Sequence, residues 1–143
     1  MLNDIVHAIQ ISAGPEVVYP LVSTATGFGR WWAEDVWETD GAVELGFFAR
    51  QTVYRISVQS GSRPLGIEWL CQTAGEWQDT RLVFRMESSG DGTLLHFVHA
   101  GWRAETDYFV VCNTTWGELM YRLRSAAQGT PRGPLFLRNG MAT

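Results

Sequence analysis

Polar and apolar residues alternate over residues 5–12, with Ile5, His7, Ile9 and Ile11 on one face and Val6, Ala8 and Gln10 on the other. A period of two is that of a strand. Ala13-Gly14-Pro15-Glu16 interrupts it. Pro15 suits the first position of a helix, where a missing N–H costs nothing. A short helix through Val17, Val18, Leu21 and Val22 follows, and Pro20 removes one of its backbone hydrogen bonds. Thr26-Gly27-Phe28-Gly29-Arg30 predicts a second short helical turn or a loop ahead of Trp31-Trp32. Over residues 36–102 the period of two returns in about six runs. Val43, Leu45 and Phe47 oppose Glu44, Gly46 and Phe48. Tyr54, Ile56 and Val58 oppose Arg55 and Ser57, and Ile67, Trp69 and Cys71 oppose Glu68 and Leu70. Leu82, Phe84 and Met86 oppose Arg81, Arg85 and Glu87, while Leu95, Phe97 and His99 share an inward face. Ser89-Gly90-Asp91-Gly92 is a hairpin signal.

The period then changes. From Thr106-Asp107, an N-cap signal, Tyr108, Val111, Cys112, Thr115, Leu119, Met120, Leu123 and Ala126 recur at three- and four-residue spacing. This is one apolar stripe on a long helix, stopped by Gly129 with Pro131 behind it. Consecutive one-sided strands with short connections argue an antiparallel sheet packed on one face. The long helix is the element large enough to cover that face. The predicted class is α+β, a helix-grip fold: a curved antiparallel sheet wrapped around a long C-terminal helix, with two short helices after the first strand. One domain is expected over residues 1–129, followed by an irregular tail over 130–143.

Composition narrows the function classes. The chain has 143 residues, a size that fits one domain. Charged residues make up 18% and aromatic residues 13%, including seven Trp, which argues a packed core against disorder. Eleven basic residues, all Arg, stand against 15 acidic ones, for a net charge of −4. An acidic chain without a basic block lacks the footprint of a nucleic-acid binder. The absence of Lys removes Schiff-base chemistry and the lysine of a phosphate loop. Cys71 and Cys112 make neither a disulfide framework nor a four-cysteine metal site. The opening Met1-Leu2-Asn3-Asp4 lacks the features of a signal peptide, and no apolar run reaches the length of a membrane span. A cytoplasmic protein is expected, in which the Asn113-Thr114-Thr115 sequon is not glycosylated.

Several local motifs carry a family resemblance. They are Ala13-Gly14-Pro15-Glu16-Val17-Val18-Tyr19 after the first strand, Trp31-Trp32, Glu76-Trp77-Gln78-Asp79-Thr80, Gly92-Thr93, His99-Ala100-Gly101-Trp102, and Trp116 in the last helix. In this order the chain, over about residues 3–128, resembles the START-like (SRPBCC, birch-pollen-allergen-like) superfamily. Within it, the chain is most similar to the branch of Aha-type activators of the heat-shock chaperone ATPase. Trp32, Trp77, Thr80, His99 and Trp116 sit where that branch has its recurring residues. The resemblance implies a cavity between sheet and helix that accepts an apolar ligand. Two departures weaken transfer of a chaperone-docking role: the last helix offers only Arg122 and Arg124, and the Pro-containing tail is extra.

The candidate chemistry is sparse. His96 and His99 are three apart on one strand, so they point to opposite faces. His7 and His99 both fall inward, but two histidines without a placed carboxylate fall short of a zinc set. No metal and no cofactor are expected. His99 in an apolar cavity would hold or protonate a ligand, or would be a buried histidine satisfied by its neighbours. Trp32, Phe47, Tyr54, Trp69, Phe84, Phe97, His99, Trp116, Leu119 and Leu123 form the candidate ligand-binding set. Such a list suits an apolar pocket and a filled core equally well. If Trp31-Trp32 begins a strand, one ring faces inward and the other lies near the surface, either packing or gating a cavity mouth. Glu76 and Asp79 flank Trp77 in a loop at the sheet end.

The leading functional reading is binding of a small hydrophobic molecule, lipid-like, aromatic or polyketide-like, beneath the last helix. The alternatives are a cyclase- or hydrolase-like enzyme using His99, Tyr54 or Glu76, and an interaction module that contacts a chaperone or pairs as a homodimer.

Overall fold

The computed structural model describes residues 2–142. Its elements run β1 (Asn3–Ile11), α1 (Pro15–Ser23), α2 (Ala25–Phe28), β2 (Asp35–Thr39), β3 (Ala42–Phe47), β4 (Thr52–Ser62), β5 (Gly66–Cys71), β6 (Arg81–Ser89), β7 (Gly92–Trp102), α3 (Asp107–Ala127), β8 (Phe136–Leu137) and β9 (Gly140–Met141). The first seven strands form one antiparallel sheet in the order β1-β7-β6-β5-β4-β3-β2. Hairpins join β2 to β7 in sequence, as antiparallel neighbours allow. The first hairpin turns on Asp40 and Gly41, both at positive φ (47° and 76°), the backbone of a type I′ turn. β1 pairs with β7 at the far edge, so α1 and α2 carry the chain across the concave face from one edge of the sheet to the other. This is the α+β helix-grip architecture that the alternation and the final stripe predict.

The inward faces fall as expected. Ile9, Ile11, Leu45, Ile56, Ile67, Trp69, Leu82, Phe84, Leu95 and Phe97 are all buried, and Arg81 and Arg85 are exposed. Four local expectations are corrected. Val58 is exposed, because the β4–β5 pairing shifts register between Val58 and Ser60 and ends the alternation there. Glu68 is half-buried rather than exposed, leaning on Arg81 at 3.4 Å. Trp31 and Trp32 do not begin a strand, and both rings are buried, stacked at 5.8 Å. The long helix also shares the covering of the sheet, since Val18, Leu21, Val22 and Phe28 of α1 and α2 are buried beside it. One helix is too narrow for seven strands.

Two indoles fix the short helices. Trp31 Nε1 donates to Leu21 O (2.8 Å) and Trp69 Nε1 donates to Val22 O (2.9 Å). These carbonyls belong to the last turn of α1, which has no intrahelical partner for them. α2 abuts α1 so closely that a Cβ on Gly27 would lie 2.1 Å from Pro20 O. Only glycine fits. At the other end of the chain Thr106 caps α3, accepting from Phe109 N, and Gly129 (φ 82°) follows the helix end.

The final residues are docked on the body. Residues 130–134 have no regular structure, but Leu135 is buried and β8 pairs with β9. Phe136 bridges to Ala33 and packs edge-on against Phe47 at 4.9 Å. Arg122 of α3 is itself buried and donates to Arg132 O (3.2 Å) and Gly133 O (3.0 Å).

The grip of α3 is testable at Leu123, which is fully buried against the sheet side of the helix. Leu123→Ala should lower the unfolding free energy by about 2–5 kcal/mol in urea titration. A loss below about 1 kcal/mol would mean that this face of α3 is not packed.

Candidate functional site

The sheet and helices enclose two interiors of different character. Near α1 and α2, the rings of Phe28, Trp69, Phe84 and Phe97 meet at centroid distances of 5.0–6.4 Å and fill the space. At the other end of α3 a pocket of about 240 Å³ remains open. Its helix wall is Tyr108, Val111, Cys112, Thr115, Trp116 and Leu119, which recur on one face because their spacing follows the helical period. Phe47 of β3 and Thr52 and Tyr54 of β4 face them, with Phe48 at the intervening turn. Trp32 and Trp77 form the floor, and Phe136 and Met141 reach in from the C-terminal segment.

The structure therefore divides the expected site residues. Trp32, Phe47, Tyr54, Trp116 and Leu119 line the pocket, whereas Trp69, Phe84, Phe97, His99 and Leu123 do not. Trp69, Phe84, Phe97 and Leu123 are packed in the core, the same cluster to which Trp32, Phe47, Trp116 and Leu119 belong, and do not reach the pocket surface. Their alternation marks them as inward, and that signal is the same for core and cavity. Of the lining residues outside the expected set, Tyr108, Val111, Cys112 and Thr115 lie on the predicted helical stripe. Trp77 sits in a loop, and Phe136 and Met141 lie in a segment with no period, so nothing local points them inward.

His99 lies behind the pocket wall in a closed hydrogen-bond chain. Trp116 Nε1–H donates to His99 Nδ1 (3.1 Å), which puts the ring proton on Nε2. Nε2–H then donates to Thr80 Oγ1 (2.9 Å), and Thr80 donates to Trp77 O (2.6 Å). Both ring nitrogens are occupied. Burial drives the imidazole down to about 3, so it is neutral at physiological pH. This is a structural histidine tying α3 to β7, β6 and the Trp77 loop.

The polar groups of the pocket are also held neutral. The Tyr54 and Tyr108 hydroxyls meet at 2.5 Å, and burial raises both phenols above their usual value. Burial likewise raises the Cys112 thiol, which sits beside the Trp77 indole and the Tyr108 hydroxyl. Trp77 stacks on Tyr54 at 4.1 Å, and its buried Nε1–H has no oxygen or nitrogen acceptor. Glu76 accepts a hydrogen bond from the Thr106 hydroxyl at the start of α3 and does not line the pocket. Among the described residues no cluster of three His, Cys, Asp or Glu side chains is arranged to hold a metal ion, and no helix is long and apolar enough to cross a membrane.

The rim is strained. Phe48, Ala49 and Arg50 take φ of 54°, 56° and 68°, a run of three non-glycine residues in the left-handed region. Each such residue costs about 1–2 kcal/mol, and they ordinarily occur singly. The turn is held from outside. Ala49 N donates to Arg138 O (2.6 Å), Arg50 pairs with Asp35 (3.2 Å), and the Arg50 guanidinium lies 3.9 Å from the Trp37 ring centroid.

Burial of His99 has a pH signature. The unfolded chain takes up a proton near pH 6.5 that the folded chain refuses until about pH 3. Stability from this residue is thus complete above pH 6.5. It falls by about 1.4 kcal/mol per pH unit below that. His99→Gln keeps a donor and an acceptor but does not titrate. Urea unfolding at about pH 7, 5.5 and 4 should show a steeper acid loss for wild type than for the variant; parallel curves would mean that the imidazole is solvated.

No protein-family model and no curated protein matches the sequence. Solved structures do match the fold. A solution structure of the Aha1 dimer from Colwellia psychrerythraea superposes with a TM-score of 0.79 at 24% identity, over 90% of this chain and 98% of that one. CalU16 from Micromonospora echinospora, in solution, gives 0.72 at 19% identity over 91% of this chain and 68% of that one. DynU16, from the dynemicin biosynthetic locus, gives 0.71 at 14% identity over 91% and 49%. The helix-grip fold of these solved structures is the fold of this chain.

Proposed function

We propose that the protein binds a small, flat, largely apolar molecule in the pocket between α3 and the β3–β4 end of the sheet, in the cytoplasm and without a cofactor. The pocket itself carries the reading: about 240 Å³ walled by aromatic faces, with a few polar groups at fixed points. Binding sites for drug-sized molecules run to about 300–1,000 Å³, so this one suits a compact guest such as a bicyclic aromatic. Trp32, Trp77, Trp116 and Phe47 form its deep wall, each no more than 5% exposed, and the rings of Phe48, Tyr54, Tyr108 and Phe136 lie nearer the opening. The Tyr54–Tyr108 hydroxyl pair offers hydrogen bonds to one polar substituent. Phe84, Phe97, Trp69, Leu123 and His99 would support these walls from behind. The biosynthetic locus of one similar structure is in keeping with a small-molecule guest.

The cyclase- or hydrolase-like reading has less support. The titratable groups on the pocket wall are Tyr54, Tyr108 and Cys112, all biased toward their neutral forms. They supply hydrogen bonds and no ready base near pH 7. Self-association has one specific observation in its favour. Phe48, Tyr108, Val111 and Met141 are exposed apolar side chains around one mouth, and a similar structure is a dimer. A chaperone contact has no such observation behind it.

The test uses 2-naphthol and naphthalene. Both should bind, quench the tryptophan fluorescence and raise the melting temperature, because a ligand selective for the folded state shifts unfolding by mass action. Tyr54→Phe should weaken 2-naphthol by about 1 kcal/mol and leave naphthalene unchanged. Thr115→Phe, which fills the pocket from α3, should abolish both. Absence of binding by either compound at high micromolar concentration, or binding that survives Thr115→Phe, would sink the proposal.

A further inference from the structure

The pocket has a removable side. Residues 135–142 cross its mouth as a strap whose inner and outer parts are held differently. The inner part is fixed: Leu135 N donates to Trp31 O (3.2 Å), Phe136 N donates to Trp32 O (2.9 Å), and Glu34 N donates to Phe136 O (2.8 Å). Leu135 is buried, and Arg122 holds the two carbonyls just before it. The outer part, residues 137–141, touches the body through exposed groups. Arg138 carries its backbone ties: Arg138 O accepts from Ala49 N of the strained turn, and Arg138 N donates to Glu34 Oε1 (3.0 Å), which also pairs with the Arg138 guanidinium at 3.6 Å.

One carboxylate latches both halves of the mouth. Asp35 Oδ2 takes Arg50 of the turn at 3.2 Å, and Asp35 Oδ1 takes Arg138 of the strap at 3.5 Å. The carboxylate fits there because its cross-strand partner is Gly46; a Cβ at that position would lie 2.6 Å from Oδ2. Both arginines are more than half exposed, so water and salt keep each ion pair weak. The turn it restrains is in a conformation that non-glycine residues leave when released. Across the hairpin Phe136 pairs with Met141, and both line the pocket, Met141 half-exposed at its rim.

We infer that this mouth is a gate: residues 137–141 and the turn at 48–50 move apart together when the Asp35 latch opens, admitting the ligand, while Phe136 stays fixed as the wall that limits ligand length. The inference rests on the reading of the pocket as a binding site. Phe136 and Met141 are then specificity-determining residues of that site. The linkage follows from geometry: Asp35 bonds both arginines, so breaking its pairs uncouples the turn from the strap, leaving Arg50 on the Trp37 ring and Arg138 on Glu34, and loss of the Ala49–Arg138 bond completes the separation.

Stopped-flow fluorescence with 2-naphthol tests the gate on the full chain. Asp35→Asn should raise the association and dissociation rates together, by about three- to ten-fold, with an affinity change under about two-fold. Arg138→Gln should do the same, and serves if Asp35→Asn fails to fold. Hydrogen exchange should show the Ala49 and Ala142 amides, which donate to Arg138 O and Leu135 O, opening faster in either variant while β6 and β7 amides stay unchanged. Phe136→Ala should admit a tricyclic phenol at least about ten-fold more tightly than wild type does. Unchanged rates and exchange in both latch variants, or a gain in the dissociation rate alone, would overturn the gate while the binding reading stands. If 2-naphthol binds neither wild type nor variants, the binding reading fails and the gate fails with it.

Discussion

The indole of Trp116 belongs to the core and to the pocket wall at once, and the rest of the structure arranges itself around that ring. It packs on Phe97 at 4.3 Å and on Trp32 at 5.0 Å, and it is only 2% exposed. Its N–H is committed to His99 on β7. That hydrogen bond fixes the ring plane, so the residue keeps its place in the wall without a contact from the pocket side. The continuation through Thr80 to the Trp77 carbonyl fixes the loop that carries the second pocket indole.

Rigid walls behind and a strained rim in front make a consistent pair. Buried, fully bonded groups such as His99 and Thr80 cost heavily when disturbed. The left-handed turn at residues 48–50 and the exposed arginines that restrain it cost little to rearrange. Motion is drawn from the least stable parts of a fold, and here those parts lie at the mouth. The short parallel bridge between Phe136 and Ala33 makes the C-terminal segment a piece of the pocket wall, although it follows the last helix of the fold.

Legibility in the sequence follows the range of the physics involved. Strand alternation and the helical stripe are local and regular, so the sheet, its inward face and α3 are readable from the residue pattern. Phe47, Tyr54, Trp116 and Leu119 are readable as inward for the same reason. Whether an inward ring meets another ring or an empty volume depends on three or four elements at once. Phe84 and Phe97 therefore look the same in sequence as Phe47 and Trp116. Trp31 and Trp32 mislead in a different way. They leave the strand pattern to bury both rings because Leu21 O needs a donor at the end of α1 and Trp31 supplies it. Phe136 was out of reach, since its position depends on backbone hydrogen bonds to Trp32 and Glu34, about a hundred residues upstream.

The electrostatic character of the pocket narrows what it would accept on the proposed reading. Each titratable group lining it is pushed toward its neutral form: Tyr54 and Tyr108 upward, and the Cys112 thiol upward. The imidazole behind them is pushed downward, also to neutral. No arginine lines the wall. An anionic guest would lose its hydration and meet no counter-charge, and a burial cost of that kind is large. A cationic guest would find ring faces but no carboxylate. A neutral guest with a hydroxyl or carbonyl would lose little, because the tyrosine pair could replace its water. On the binding reading proposed above, the desolvation that keeps these groups neutral is the same property that would favour an uncharged aromatic molecule with one polar end.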